Sequence, residues 1–409
     1  MRITHFTLIQ GRLPLGHWVE MGTFFSLCYD VPAKQPEWGD SVPSRDQKYM
    51  QWALDLAATL GSDAHPNPRV GALVVKGGRV VGLGAHERYG GPHAEINALR
   101  AAGSQAKGAT LYVTLEPCSH HGKTPPCVDA ILEAGVREVV AAGKDPNPLV
   151  SGRGLAILKR SGIRVRSGVL TAEAEALNEA HFHANRAKRP LVILKAAITL
   201  DGRIATDRGK SQWITGASAR LAAHQLRSQC DAILVGSGTL EADNPSLAVR
   251  APGWKRRDGF PFRVLLDTGL SLKPSAKILK GDQGTLVFCG PRASQAKERA
   301  LQKAGAQVLR VGLRKGRLSL PQVLQSLLQN GVKQLLVEGG AEVHGAFLRE
   351  KLADRVVLFM APKLLGGDPG KSWFAGVGWG DPNHCPTLED VRVRPRGRDL
   401  EVSGRIKYD

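Results

Sequence analysis

Pro117-Cys118-Ser119-His120-His121-Gly122-Lys123-Thr124-Pro125-Pro126-Cys127 is the stretch on which the reading of this chain turns. Twenty-five residues before Cys118 stands His93, in His93-Ala94-Glu95. Two thiolates and one imidazole fill three corners of a tetrahedron around zinc and leave the fourth for water, as in a catalytic rather than a closed structural site. Cys127 opens an expected helix (Cys127–Ala134) and His93 another (His93–Ala102), and helix N-termini favour thiolate over thiol. His93, Cys118 and Cys127 are therefore the expected zinc ligands. Glu95, two positions from a ligand, is placed to carry protons without binding the metal itself. A closed structural zinc remains the alternative, with His120 or His121 as a fourth donor.

Outward from this stretch the chain alternates strands and helices. A helical spacing runs from Arg45 through Tyr49, Trp52, Ala53, Leu56 and Leu60 to Gly61. Strands are expected at Val70–Val75 and Arg79–Gly84 around Gly77-Gly78, then at Thr110–Leu115 and Glu138–Ala142. Gly154–Ser161 and Ala172–His181 read as helices. This is an α/β layered domain, set at 45–182. The polar, basic run closing on Arg189-Pro190 reads as a linker, 183–190. A second alternation begins at Leu191–Ala197. It continues through short apolar runs at Ala232–Val235, Phe262–Leu266, Thr285–Phe288, Gln307–Val311, Gln334–Val337 and Arg355–Met360, which suit a covered sheet. The second domain is set at 191–409. Residues 1–44, with Pro32, Pro36 and Pro43, read as an extension outside the first core, disordered or, if translation starts later, absent; Met21 and Met50 offer such starts.

At 409 residues the chain exceeds one ordinary core. No apolar run approaches the roughly 20 residues that span a bilayer. No compact apolar core follows a basic start, so the cytoplasm is expected and no membrane partner. The six cysteines are too sparse for a disulfide framework, and Cys28, Cys230, Cys289 and Cys385 read as small buried hydrophobes. A net charge of +19 admits nucleic acid or phosphorylated small molecules as partners. The basic residues are spread, with no long basic tail, which favours the small molecules.

A His-x-Glu element followed by a Pro-Cys element is the pattern of zinc-dependent deaminases, whose second element is usually the tighter Pro-Cys-x-x-Cys. The eight-residue loop here departs from it. With His65-Pro66-Asn67-Pro68 and Asp145-Pro146-Asn147-Pro148, that loop closely resembles the bifunctional riboflavin-biosynthesis family, a pyrimidine deaminase fused to a reductase. The resemblance implies a cytidine-deaminase-like three-layer α/β domain followed by a dihydrofolate-reductase-like α/β domain. It also implies that Asn67 contacts the pyrimidine, while His120 and Lys123 approach the substrate phosphate.

Lys195-Ala196-Ala197-Ile198-Thr199-Leu200-Asp201-Gly202-Arg203 and Ser211-Gln212-Trp213-Ile214-Thr215 look like the reductase half of the same family. No Gly-x-Gly-x-x-Gly follows a strand, so a Rossmann reading has little support. Instead Gln334–Val337 leads into Glu338-Gly339-Gly340-Ala341-Glu342-Val343-His344-Gly345-Ala346, a strand, a glycine pair and a helix start suited to a pyrophosphate. By resemblance the cofactor is NADPH, met by Ala197, Trp213, Thr239, Asp243 and Gly340, Ala341, Glu342, Val343, His344, Gly345 and Ala346. Ser211, Arg227, Leu247, Arg250 and Glu338 would meet the substrate. Arg227 and Arg250 are also credible phosphate partners on physical grounds, since a guanidinium holds phosphate bidentately. Asp243, in Glu241-Ala242-Asp243-Asn244-Pro245, reads equally as part of a turn, and Trp213 as a core position.

The expected activity is deamination of a diaminopyrimidinone ribosyl phosphate, followed by NADPH-dependent reduction of the ribosyl to a ribityl chain, in a homo-oligomer. A nucleic-acid base deaminase with an appended binding domain is the alternative. It explains the charge and the zinc site but neither the long loop nor the second domain's motifs.

Overall fold

The computed structural model describes residues 43–408 except 62–63, 122–124, 149, 253–260, 282–283 and 368–370. The expected extension therefore lies outside the described residues up to residue 42. Two compact units divide between Asn178 and Glu179.

The first unit opens on helix α1 (Arg45–Leu60), whose N-cap Ser44 and Gln47 form a reciprocal capping box. Ser44 thus belongs to the fold and not to the extension. Met50, Ala53, Leu54 and Ala57 form the buried stripe of α1. There follow β1 (Gly71–Lys76), β2 (Arg79–Ala85), α2 (Ala94–Ala102), β3 (Thr110–Val113), α3 (Cys127–Glu133), β4 (Glu138–Ala141), α4 (Arg153–Arg160), β5 (Arg164–Ser167) and α5 (Thr171–Leu177). Gly77 and Gly78, at φ +56° and +77°, make the tight β1–β2 turn that L side chains resist. The sheet runs β2-β1-β3-β4-β5, antiparallel across β2, β1 and β3 and parallel beyond.

Side-chain alternation assigns the two faces. On one, Leu73 and Val75 pack with Met50 and Leu54 of α1 and Ala174 of α5. On the other, α2 lies so close that a Cβ at Gly82 would meet the Ala98 carbonyl at 2.3 Å, and one at Gly84 the Ala94 carbonyl at 2.5 Å. Three layers result. The close seat of α2 fixes where its first residues point.

The second unit contains α6 (Glu179–Ala187), β6 (Leu191–Thr199), β7 (Arg203–Ala205), α7 (Ala217–Gln229), β8 (Ala232–Gly236), α8 (Ser237–Asp243), β9 (Phe262–Leu266) and β10 (Thr285–Cys289). It continues with α9 (Gln295–Lys303), β11 (Ala306–Arg310), β12 (Leu313–Arg314), β13 (Arg317–Leu318), α10 (Leu320–Gln329), β14 (Gln334–Val337) and α11 (Ala341–Arg349). It closes with β15 (Arg355–Ala361), β16 (Lys371–Ser372), β17 (Thr387–Arg396) and β18 (Asp399–Lys407). One nine-stranded sheet runs β11-β10-β9-β8-β14-β6-β15-β18-β17. Its first seven strands are parallel and β18 and β17 close it antiparallel. Apolar clusters cover it, one around Phe288, Leu324 and Phe347, another around Val287, Leu265 and Ile278.

Two expectations need correction. Residues 183–187 are not linker but the second half of α6. Phe182 and Ala184 are buried there, and Arg189, which looked solvated, holds Asp354 through two 2.7 Å bonds. The helix expected over Ala172–His181 breaks at Asn178, whose amide bonds the Arg69 backbone in both directions, at 2.8 and 2.9 Å. Of the cysteines read as buried, Cys230 and Cys289 are so, Cys385 is only half-buried, and Cys28 lies outside the described residues.

Candidate functional site

His93 is the N-cap of α2, and its carbonyl accepts the Asn97 N–H at 3.1 Å. Cys127 is the first residue of α3, and Cys118 lies in the extended segment after β3. His93 Nδ1 stands 3.1 Å from Cys127 Sγ and 3.5 Å from Cys118 Sγ, and the Cys127 N–H donates to Cys118 Sγ at 3.3 Å. All three donor atoms lie within 4.8 Å of one another. Around tetrahedral zinc, with bonds of about 2.0–2.3 Å, such atoms are separated by about 3.6–3.8 Å, so the set fits that metal. The Cys127 thiol, against the effect of burial, and then His93 hold the Cys118 thiol well below the usual thiol range. Among the described residues neither His120 nor His121 joins the three donors, which leaves a catalytic site's open corner rather than a closed structural one.

Glu95, in the first turn of α2, is 3% exposed. Burial raises its carboxyl above the usual range, opposed by His93 and reinforced by Cys118, and it hydrogen-bonds the Cys127 thiol. A carboxyl so placed can take a proton from water and return it.

Asn67 Nδ2 lies 3.1 Å from His86 Nε2, while His86 Nδ1 lies 3.0 Å from the Pro92 carbonyl. The carbonyl can only accept, so the proton is assigned to Nδ1 and Nε2 accepts from Asn67. Burial lowers the His86 pKa and favours that neutral ring. The amide of Asn67 is thereby oriented, and its ring partner packs edge-on to His93 at 5.2 Å. His120 lines an open cavity of about 530 Å³ with Ser119, Ser151, Gly152, Arg153 and Arg160. Lys123 lies outside the described residues. The sequence reading did not single out His86, Arg153 or Arg160. The seven-residue spacing that puts both arginines on one face of α4 was the available signal.

In the second unit the structure brings Arg227, Glu338 and the 247–250 segment together. Arg227 holds Glu338 through bonds of 2.7 and 2.6 Å and donates to the Ala248 carbonyl at 3.0 Å, with Lys195 Nζ 3.7 Å from Glu338. The fork expected to be open to a phosphate is therefore engaged with a buried carboxylate. Arg250 is the exposed guanidinium, its Nε 3.4 Å from His224 Nε2. Burial, with Arg227 and Arg250, pushes His224 down to about 4, so the ring is neutral. Leu247 is buried and Ser211 half-buried.

The glycine pair lies where β14 ends, beside the end of β8. Gly340 donates its N–H to Thr239 Oγ1 at 2.8 Å, and a Cβ on Gly339 would press on the Gly236 nitrogen at 3.1 Å. This is the carboxyl end of a parallel sheet, where α/β folds receive ligands. Ala341 and Glu342 open α11 with amides ahead of any intrahelical acceptor. The rest of the expected segment turns to packing. Val343 and Ala346 lean on the core, His344 bridges the Val337 and Trp373 carbonyls at 3.1 and 2.9 Å, and Gly345 admits Ala375. Ala197 is a half-buried residue of β6 and Asp243 the exposed last residue of α8. Trp213 is not core. It is 64% exposed, with Arg220 over its ring at 4.6 Å and Lys363 bonded to its carbonyl.

Known proteins supply the comparison. The cytidine and deoxycytidylate deaminase zinc-binding region matches residues 43–143, and the RibD C-terminal domain matches 190–402. Riboflavin biosynthesis protein RibD of Bacillus amyloliquefaciens is 43% identical over 359 residues, covering 88% of this chain and 95% of that protein. Among solved structures, one form of Acinetobacter baumannii RibD aligns with TM-score 0.81 at 37% identity, over 89% of this chain and 99% of that one. A diaminohydroxyphosphoribosylaminopyrimidine deaminase/5-amino-6-(5-phosphoribosylamino)uracil reductase from Thermotoga maritima aligns with TM-score 0.75 at 36% identity, over 89% and 99%.

Proposed function

The chain belongs to the RibD family, bifunctional deaminase–reductases of riboflavin biosynthesis, and on that premise we propose how its residues divide the two reactions. Zinc serves the first half and NADPH the second.

The convergence of His93, Cys118 and Cys127 beside buried Glu95 carries the deaminase assignment. Zinc, which His93, Cys118 and Cys127 would hold, would supply the Lewis acidity that activates water near neutral pH. Glu95 takes the proton released and delivers it to the departing amine, so the pyrimidine exchanges an exocyclic amine for a carbonyl oxygen and ammonia leaves. Asn67, its amide set by His86, holds the pyrimidine. The substrate is a diaminopyrimidinone carrying a ribosyl phosphate, and the cavity beside His120 receives the phosphate on Arg153 and Arg160.

Bound in the second unit, NADPH would supply the hydride chemistry that reduces the ribosyl to a ribityl chain. Ala341 and Glu342 offer the pyrophosphate their amides at the start of α11, beside Gly340, whose own N–H is held by Thr239, and Ala197, Trp213 and Asp243 complete the nucleotide's surroundings. Glu338, fixed by Arg227, faces the sugar with Ser211 and Leu247, and Arg250 meets its phosphate. Two phosphorylated substrates give the surplus of basic residues a use. A homo-oligomer working in the cytoplasm belongs to the same proposal. Among the described residues no helix is long and apolar enough to cross a membrane.

The decisive assay gives the whole chain the pyrimidine ribosyl phosphate and follows ammonia and NADPH consumption separately. Cys118→Ser is expected to lose zinc and ammonia release together while still reducing pre-deaminated substrate. Unchanged zinc content would sink the ligand assignment. Arg153→Ala and Arg160→Ala should each raise the deaminase KM by about tenfold or more, as loss of a charged hydrogen bond implies, with kcat little altered. Wild-type KM in both variants would move the phosphate elsewhere.

A further inference from the structure

Glu116 has no part in the chemistry described above, yet it is 4% exposed and stands two residues from Cys118. Three backbone donors hold its carboxylate. Oε2 accepts the N–H of Gly152 at 2.7 Å and of Asp145 at 3.2 Å, and Oε1 accepts the N–H of Leu155 at 3.3 Å. These donors belong to the loop that carries Asp145-Pro146-Asn147-Pro148 and to the first turn of α4. A carboxylate there satisfies amides that a helix start leaves without partners.

A second contact locks the same pieces. Gly154, in the first turn of α4, lies so close to Pro117 that a Cβ would stand 2.0 Å from its carbonyl oxygen. Only glycine permits that approach. Beyond Pro117, Cys118 is held from its other side, its carbonyl accepting the Val128 N–H at 3.2 Å and its Sγ the Cys127 N–H. The segment Glu116-Pro117-Cys118 is thus clamped between the start of α4 and the start of α3.

We propose that Glu116 is a positioning residue of the deaminase. Through Pro117 it sets the Cys118 thiolate among the metal donors, and through Gly152 and Leu155 it sets the end of α4 that borders the His120 cavity. It touches neither metal nor substrate. Groups that orient a metal ligand from behind are worth about 10–100-fold in metal affinity or activity. The inference rests on the assignment of Cys118 as a ligand, and the experiment separates the two.

Glu116→Gln keeps the shape but turns one acceptor oxygen into an amide that points N–H groups at N–H groups. Gly154→Ala leaves the carboxylate intact and presses on Pro117 from the helix side. In the full chain loaded with zinc, both variants are expected to surrender the metal to a competing chromophoric chelator at least tenfold faster than wild type. Both should also show a lowered deaminase kcat, faster amide exchange over residues 145–155 and an undiminished reductase rate. The proposal is overturned if Glu116→Gln releases zinc and turns over at wild-type rates. It is equally overturned if the variant only melts earlier, its folded fraction exchanging zinc like wild type. Cys118→Ser, run alongside, tests the premise: if it keeps zinc as tightly as wild type, the ligand assignment fails and this inference with it.

Discussion

Glu95→Gln is expected to cut ammonia release by roughly 10²–10⁴-fold while zinc stays bound and NADPH-dependent reduction of pre-deaminated substrate continues unchanged. The substitution is nearly isosteric. Glu95 sits 3% exposed under the metal donors and hydrogen-bonds the Cys127 thiol, a contact an amide can keep. What the amide cannot do is accept a proton and return it. Metal analysis, an ammonia assay and an NADPH assay on one preparation check all three parts. Retained deamination would remove Glu95 from the mechanism, and lost zinc would show that its role is to hold the site together.

Arg227→Ala is expected to destabilise the second unit by about 3–5 kcal/mol and to stop NADPH consumption, leaving the deaminase active. The side chains of Arg227 and Glu338 are 16% and 8% exposed, so the substitution leaves a buried carboxylate with only Lys195, 3.7 Å away, as counter-charge. Burial by itself would raise the Glu338 carboxyl; Arg227 and Lys195 overcome that and hold it down at about 2. A carboxyl depressed in the folded state stabilises above its unfolded pKa, near 4.3, and loses that contribution as pH falls towards 2. The deficit of the variant should therefore be full at pH 7 and narrow in acid. Denaturant melts of both proteins at several pH values measure this, and equal stability at pH 7 would refute it. Arg227→Met with Glu338→Leu and Lys195→Met, which leaves no buried charge unpaired, should regain stability but not reduction, separating the cluster's structural role from its role at the sugar.

These two sites differed in how far they could be read from sequence. The zinc site is local: His93, Cys118 and Cys127 come from helix starts and one loop, and their types and spacing carry the chemistry. The engagement of Arg227 with Glu338 was not legible, because a basic residue on a helix shows no sign of a partner 111 positions away. The same blindness made a linker of residues 183–190, whose Arg189 pairs with Asp354 across 165 positions. His86 was overlooked for a related reason: its role comes from two hydrogen bonds to other segments. Short apolar runs revealed β6, β8, β9, β10, β14 and β15, which lie largely buried in the sheet. They did not reveal β17 and β18, although Arg392, Arg394 and Arg396 alternate with Val391, Val393 and Pro395, because that edge buries no apolar face: the two valines are exposed and the arginines half-buried.

The order of the large sheet also bears on how the chain comes to exist. β6 and β8 are made early but are not neighbours. The strand that joins them, β14, follows only after residues 237–333, and it brings Glu338 and the glycine pair with it. Until it arrives, β6 and β8 each present an unpaired, largely apolar edge, the condition that invites association between chains. The first unit, with its smaller sheet and shorter crossovers, can close on its own segment of chain meanwhile. On the ribosome the deaminase half is therefore assembled first, and the reductase half spends most of its synthesis with its centre open.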